Sequence, residues 1–234
     1  MTAESQLISG KVIRAFFKRG FRSFLLSGLD GEFTKRLFDV AFSLSVLILF
    51  SPVYLLLALA IALASPGPIF YVQERLGKGG KPFGCIKFRT MVENADEVLS
   101  DMFERYPNIR QEYEENFKLK DDPRITWIGR FLRLTSLDEF PQFWNVLKGD
   151  MSVVGPRPIV VEEVSKYGHH IDKVLTIRPG ITGLWQVSGR NNIPYPRRVQ
   201  MDVYYVNFRN FWMDLWLIVK TIGVVIFPKN NGAY

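Results

Sequence analysis

LFDVAFSLSVLILFSPVYLLLALAIALA, residues 37–64, decides how this chain is organised. Apart from Asp39 and three serines the run is apolar, and it exceeds the roughly 20 residues needed to cross a hydrocarbon core of about 30 Å. It is expected to enter a membrane. Pro52 follows Ser51 in its middle, so the amide that would bond the Ile48 carbonyl is missing and the ring crowds that turn; a sharp bend is predicted. Basic residues flank both ends, Lys35 and Arg36 before, Arg75, Lys78 and Lys81 after, whereas the positive-inside tendency loads one side only. Both ends are therefore expected on the cytoplasmic face, with residues 35–66 re-entering at the Ser51–Pro52 break. A proline-kinked helix that crosses in the ordinary way accounts for the same run, because membrane helices tolerate proline.

The rest of the chain suits such a surface. A net charge of +7 sits on a sequence that is 47% apolar and 14% aromatic, a pairing that fits anionic headgroups better than nucleic acid. Cys85 is the only cysteine, which excludes an internal disulfide and a C-x-x-C metal site. In KVIRAFFKRGFRSFLL, residues 11–26, five cations interleave with Phe, Val, Ile and Leu, the pattern of a helix lying among headgroups. Packing of the Phe side on the domain reads the same residues. No short apolar core with a small-residue cleavage site precedes it, so no cleaved signal peptide is expected.

Beyond Ser65-Pro66-Gly67-Pro68, the runs Ile69–Gln73 and Phe83–Phe88 flank a basic, glycine-rich loop and predict a β-hairpin. Residues 92–124 are charged and poor in aliphatics, an expected insertion of solvated helices broken at Pro107. A helical spacing of apolar residues runs from Leu137 to Lys148, with Gly149 as its stop. The aromatics between Val199 and Phe227 suit either a membrane interface or a core. The expected fold is α+β and mostly helical: a re-entrant membrane helix–break–helix, interfacial amphipathic helices and a small β-hairpin.

Chemistry concentrates in RFLRLTSLDEFPQFWNVLKGDMSVVGPRP, residues 130–158. Asp138 and Glu139 are adjacent acids at a predicted helix start. Ser136-Leu137-Asp138-Glu139 has capping-box spacing, in which Glu139 would only reach back to the Ser136 amide. Pro141 favours a start at Asp138 instead, where the proline falls in the first turn and free amides would surround the carboxylate and any phosphate beside it. Both readings stay open on the residues alone. Arg133 and Arg157, the latter held between Pro156 and Pro158, are forks suited to phosphate oxygens, and Mg²⁺ needs only one or two carboxylates plus phosphate oxygens. Arg178, Gln186 and Arg190 are further candidates for a nucleotide or sugar. His169 and His170 read as solvent-exposed residues beside a turn, and Asp39 as a partner for Lys35 or Arg36.

K-R-L-F-D (35–39), S-P (51–52), K-F-R-T-M (87–91), S-L-D-E (136–139), N-V-L-K-G-D-M-S-V-V-G-P-R-P (145–158), R-P-G-I-T-G-L-W-Q-V-S-G-R-N (178–191) and D-V-Y-Y-V (202–206) occur in the order of the bacterial sugar transferase family. From Lys35 onward the chain resembles these small monotopic phosphoglycosyl transferases. The resemblance implies a bacterial inner-membrane enzyme with a cytoplasmic active site: residues 1–34 as an interfacial segment, 35–66 re-entrant, 67–234 catalytic. It implies Asp138 as the nucleophile on the sugar-bearing phosphorus of a UDP-hexose, Glu139 as a Mg²⁺ ligand, and Arg133, Arg157 and Arg178 on the substrate. UMP would leave, and undecaprenyl phosphate would take the phosphosugar. The charged insertion, the Lys120–Thr126 segment and the terminal Gly232-Ala233-Tyr234 resemble members that use galactose, with glucose the alternative. Those relatives carry several N-terminal membrane spans where this chain has residues 1–34. A homo-oligomer is left open. A non-enzymatic membrane scaffold would explain the basic and apolar faces but gives no reason for two acids and several arginines in motif order, and a magnesium phosphatase acting on a lipid or nucleotide phosphate would use the same acids.

Overall fold

The computed structural model describes residues 30–106, 109, 110, 113, 119 and 122–226. The expected amphipathic stretch at 11–26, most of 107–121 and the terminal Gly232-Ala233-Tyr234 lie outside the described residues.

Helix α1, Glu32–Leu49, and helix α2, Ser51–Ala64, meet at Phe50 with a bend of 63°. No single described helix is long and apolar enough to cross a membrane; this bent pair together has the length and composition. The local cause is the one the sequence predicts. Pro52 cannot donate to the Ile48 carbonyl, and the Ser51 hydroxyl does so instead at 2.8 Å. The Ile48 carbonyl is thus not orphaned, which an apolar surround would penalise by several kcal/mol, on the order of 4 to 8. Outward faces stay apolar: Ile48, Leu49, Leu55, Leu56, Leu59 and Leu63 are all exposed.

Strand β1, Phe70–Leu76, pairs antiparallel with β2, Pro82–Phe88, in the register Phe70 opposite Phe88 and Leu76 opposite Pro82. The hairpin is as predicted, with the first strand running three residues further. Its turn needs Gly79 at φ 71°, a left-handed conformation. Helix α3, Ala95–Arg105, opens the charged insertion. Helix α4, Trp127–Thr135, is capped by the Thr126 hydroxyl, which accepts from the Gly129 amide.

The helix expected over 137–148 is shorter. Ser136 adopts φ 58° and ends α4, Leu137–Glu139 form one 3₁₀ turn, and helix α5 occupies only Gln142–Lys148 with Pro141 before it. Proline has no amide to continue a helix begun at Leu137, so regular α structure starts after it. Neither candidate cap is used: the Glu139 side chain turns to cations, and Asp138 precedes the helix by a full turn. Gly149, at φ 98°, is the stop that was expected.

Short strands β3, Ser152–Val154, and β4, Gly180–Thr182, pair in parallel, and between them lie the small helices α6, Val164–Tyr167, and α7, Ile171–Val174. Helices α8, Tyr195–Phe208, and α9, Phe211–Ile226, close the described chain. The main core joins Phe143 and Val146 of α5, Val153 and Val154 of β3, Tyr205 of α8 and Met213 and Leu217 of α9, with Phe38, Phe42 and Val46 of α1 packed against it. A second cluster packs Leu57 and Ile61 of α2 on Phe88, Ile128 and Leu132. The two arms of the bent pair therefore belong to different clusters, and Phe140 packs against both.

Asp39, expected to pair locally, lies in a buried ionic knot. Lys35 Nζ is 2.9 Å from Asp39 and 3.0 Å from Asp214, the Val153 amide donates to Asp39, and the Tyr205 hydroxyl donates to Asp214 at 2.6 Å. Each charge is compensated and hydrogen-bonded, the condition for burying an ion pair. The knot clamps α1 to β3, α8 and α9.

Candidate active site

Three pieces of backbone bring the site together. Asn145 of α5, fully buried, accepts from the Ile86 amide at 2.9 Å and donates to the Gly84 carbonyl at 2.7 Å, binding α5 along the edge of β2. Residues 85 and 87 share one face of that strand, so Cys85 and Lys87 both line the cavity beside the 3₁₀ turn. The second piece is a glycine crossing. A Cβ on Gly180 would lie 2.0 Å from the Gly155 nitrogen, so only glycines let β4 approach the Gly155-Pro156-Arg157-Pro158 segment this closely. Gly180 donates to the Pro156 carbonyl at 2.7 Å, fixing the backbone immediately before Arg157. The third is Gly129, whose missing Cβ makes room for the Thr90 carbonyl; Arg133 Nε then donates to the Thr90 hydroxyl at 2.9 Å.

The result is a carboxylate pair ringed by cations. Lys87 donates to Glu139 Oε1 at 2.8 Å, and Arg157 lies 3.6 Å from the same oxygen. Arg190, held at φ 50°, reaches the Ser136 hydroxyl at 3.0 Å from the other side. The cavity is lined by Arg75, Cys85, Lys87, Glu139, Gln142, Arg157, Pro158, Ile181 and Gln186 and encloses about 210 Å³ of space open to solvent. The Arg157 guanidinium also lies over the Trp185 ring, 6.0 Å from its centroid, and Arg198 over the same ring at 5.1 Å. Above the turn stands the helix break: the Tyr54 hydroxyl donates to the Phe140 carbonyl, and the Phe50 and Phe140 rings meet edge to face at 5.9 Å.

These surroundings split the two acids. Burial raises the pKa of Asp138, and the neighbouring Glu139 charge adds to that, against the pull of Lys87, Arg133 and Arg157. Burial acts on Glu139 too, but Lys87 and Arg157 outweigh it and hold Glu139 below the usual carboxylate range. Two adjacent carboxylates with divergent acidities, inside a surplus of guanidinium and ammonium groups, are suited to a ligand rich in phosphate charge.

Of the residues expected at the site, Asp138, Glu139, Arg133 and Arg157 are brought together. Arg178 is not among them. Its Nε donates to the Gly149 carbonyl at the C-terminal end of α5, and it lines a different cavity. Arg190, rather than Arg178, lies beside the acid pair. Lys87 falls within K-F-R-T-M, Arg75 reads from the sequence only as a cation flanking the apolar run, and Tyr54 carries no signal there. His169 and His170 lie outside the lining of either cavity.

Among the described residues no three His, Cys, Asp or Glu side chains converge as a metal cage. The donor set here is the pair of carboxylates, with the second oxygen of Glu139 carrying no protein hydrogen bond among the described residues. That fits a Mg²⁺ ion that completes its shell with waters and phosphate oxygens.

The chain thus combines a bent apolar helix pair with a cation-ringed acid dyad. Comparison with known proteins agrees. The family model described as bacterial sugar transferase matches residues 31–228, and the chain belongs to that family. It is 48% identical over 89% of its length to the undecaprenyl-phosphate galactose phosphotransferase of Salmonella typhimurium, and 48% identical over 88% to the UDP-galactose-lipid carrier transferase of Erwinia amylovora. It spans 43% and 42% of those two proteins. It is also 44% identical over 87% of its length to the exopolysaccharide production protein ExoY of Sinorhizobium fredii, and there it covers 89% of the relative.

Proposed function

We propose that this chain moves hexose-1-phosphate, galactose-1-phosphate first, from a UDP-sugar to undecaprenyl phosphate, as the first membrane step in building an exopolysaccharide or similar surface glycan. The observation that carries this reading is the Asp138–Glu139 turn, with its two acidities split and four cations around it. The galactose-specific names of the two relatives at 48% identity support the donor, and UDP-glucose is the competing sugar.

In the mechanism that fits, an Asp138 carboxylate oxygen attacks the sugar-bearing phosphorus of the donor and the bond to the UMP oxygen breaks. UMP leaves with the electron pair. An oxygen of undecaprenyl phosphate then attacks the same phosphorus, and the Asp138 carboxylate is released unchanged. Lys87, Arg157 and Arg190 neutralise and orient the diphosphate, while Arg133, fixed by Thr90, sits behind Asp138. A magnesium ion held through Glu139 would supply further neutralisation of the leaving UMP and favour ionised Asp138.

Two measurements address this reading. Purified enzyme, polyprenyl phosphate and a panel of UDP-sugars should yield a lipid product whose mass identifies one hexose phosphate. Glu139→Ala should abolish turnover while leaving the protein folded, and chelation should silence the wild type reversibly; full activity of Glu139→Ala would leave that residue only its contacts to Lys87 and Arg157.

The same reading places the bent pair as a re-entrant hairpin with both ends on the cytoplasmic face of the inner membrane. Cysteines introduced singly at Lys18 and Lys78 should both resist an impermeant thiol reagent in intact cells, with Cys85 silent because it is buried. Labelling of only one of the two positions would mean that the pair crosses. Pro52→Leu restores the missing amide and is expected to straighten the bend and expose one flank.

A further inference from the structure

We infer that a second cavity, at the opposite end of α5 from the acid dyad, binds the phosphate of an anionic membrane lipid. Glu32, Lys35, Arg36, Asp39, Arg178 and Arg209 are its charged lining, around about 290 Å³ of space open to solvent. Four cations face two acids. It shares no lining residue with the cavity at Glu139. Helix α5, seven residues and so about 10 Å long, separates them.

Much of this charge has a structural explanation. Arg36 donates to the Val146 and Leu147 carbonyls at 2.6 and 2.9 Å, and Arg178 Nε to that of Gly149 at 2.8 Å, which satisfies the negative end of α5. Lys35 belongs to Asp39 and Asp214, and Arg209 to Glu32. What remains is a guanidinium surplus without a carboxylate. The two terminal NH₂ groups of Arg178 make no hydrogen bond or ion pair among the described residues, although the side chain stands half-buried at the cavity wall. Planar NH₂ groups in a fixed fork match phosphate oxygens.

The apolar surroundings decide which phosphate. Helix α1 brings Lys35 and Arg36, Arg209 lies just before helix α9, and both of these helices carry an exposed apolar stripe. On α1 it is Phe33, 81% exposed, then Leu37, Leu44 and Ile48; on α9 it is Trp212, three residues after Arg209, then Leu215, Val219, Ile222 and Ile226. These spacings each keep one helix face. A nucleotide or free phosphate has no use for two such stripes, whereas a phospholipid places its headgroup in the basic pocket and its chains along them.

The inference rests on the membrane reading above, and the test separates the two. Detergent-purified full chain, titrated with phosphatidylglycerol, phosphatidylcholine or inorganic phosphate, is read by native mass spectrometry. Phosphatidylglycerol should bind one high-affinity site, weakened about fivefold in Arg178→Gln, since each basic residue at an anionic surface contributes about that factor. Glu32→Gln, which frees Arg209, should tighten it, an opposite sign that misfolding cannot produce. Equal retention of phosphatidylcholine, an unchanged affinity in Arg178→Gln, or displacement of the lipid by inorganic phosphate at the same concentration would overturn the site. Flotation of the same protein with pure phosphatidylcholine vesicles tests the membrane reading alone, because it needs no anionic headgroup.

Discussion

Asp138→Asn is expected to eliminate the burst of UMP that the wild type releases from its UDP-sugar before any lipid acceptor is added, and to lower turnover about 10³-fold or more. The asparagine keeps the shape of the aspartate but has no anionic oxygen to attack phosphorus. The Asp138 side chain makes no hydrogen bond to the described residues, in contrast to Glu139 with Lys87, so the turn should survive the change. Donor binding should therefore persist while the burst is lost. The wild type, quenched in acid after mixing with donor alone, should carry the mass of one hexose phosphate on the peptide containing Asp138. If UMP appeared only on addition of polyprenyl phosphate and no adduct could be trapped, direct attack by the lipid phosphate would replace the two-step scheme. Asp138 would then be a base or a metal ligand.

Gly180→Ala should cost the fold about 3 kcal/mol and take activity with it, because the added carbon would overlap backbone that no rotamer change can clear. Its Cβ would lie 2.0 Å from the Gly155 nitrogen and 2.6 Å from the Thr182 carbonyl oxygen. The parallel β3–β4 pair would have to part, and with it the hydrogen bond that fixes the chain before Arg157. Gly223→Ala in α9 is the matched control: nothing lies within 4 Å of its Cβ, and alanine is the better helix former by roughly 0.5–1 kcal/mol. Thermal unfolding of both variants in the same detergent checks the contrast. An unaltered transition in Gly180→Ala would show that the crossing has slack.

Local covalent rules carried what the sequence made legible. The bend at Pro52, the Lys35–Asp39 pair four residues apart, the glycine-linked hairpin and the stop at Gly149 each depend on neighbours in the chain. The family motifs located the acids and Arg157 without saying what would surround them. Contacts between distant segments were out of reach: Lys87 meets Glu139 across 52 positions, through the Asn145 bridge that fixes α5 on β2. Arg178 shows how a contact between distant segments places a motif residue. Its Nε donates to the carbonyl end of a short helix 29 positions away, a partner that no local pattern announces. The start of that helix was misjudged because periodicity does not register one 3₁₀ turn before a proline.

The contact between the helix break and Phe140 has a consequence for where the reaction happens. If residues 35–66 re-enter as proposed, the Asp138 turn is tied to that one hairpin through Tyr54 and Phe50, which meet Phe140. The height of the attacking oxygen is then gauged from one leaflet only. Lengthening the acyl chains of the opposite leaflet should leave that oxygen at the depth where an acceptor's phosphate floats, so that the enzyme tolerates bilayers of unequal thickness as a spanning helix bundle could not.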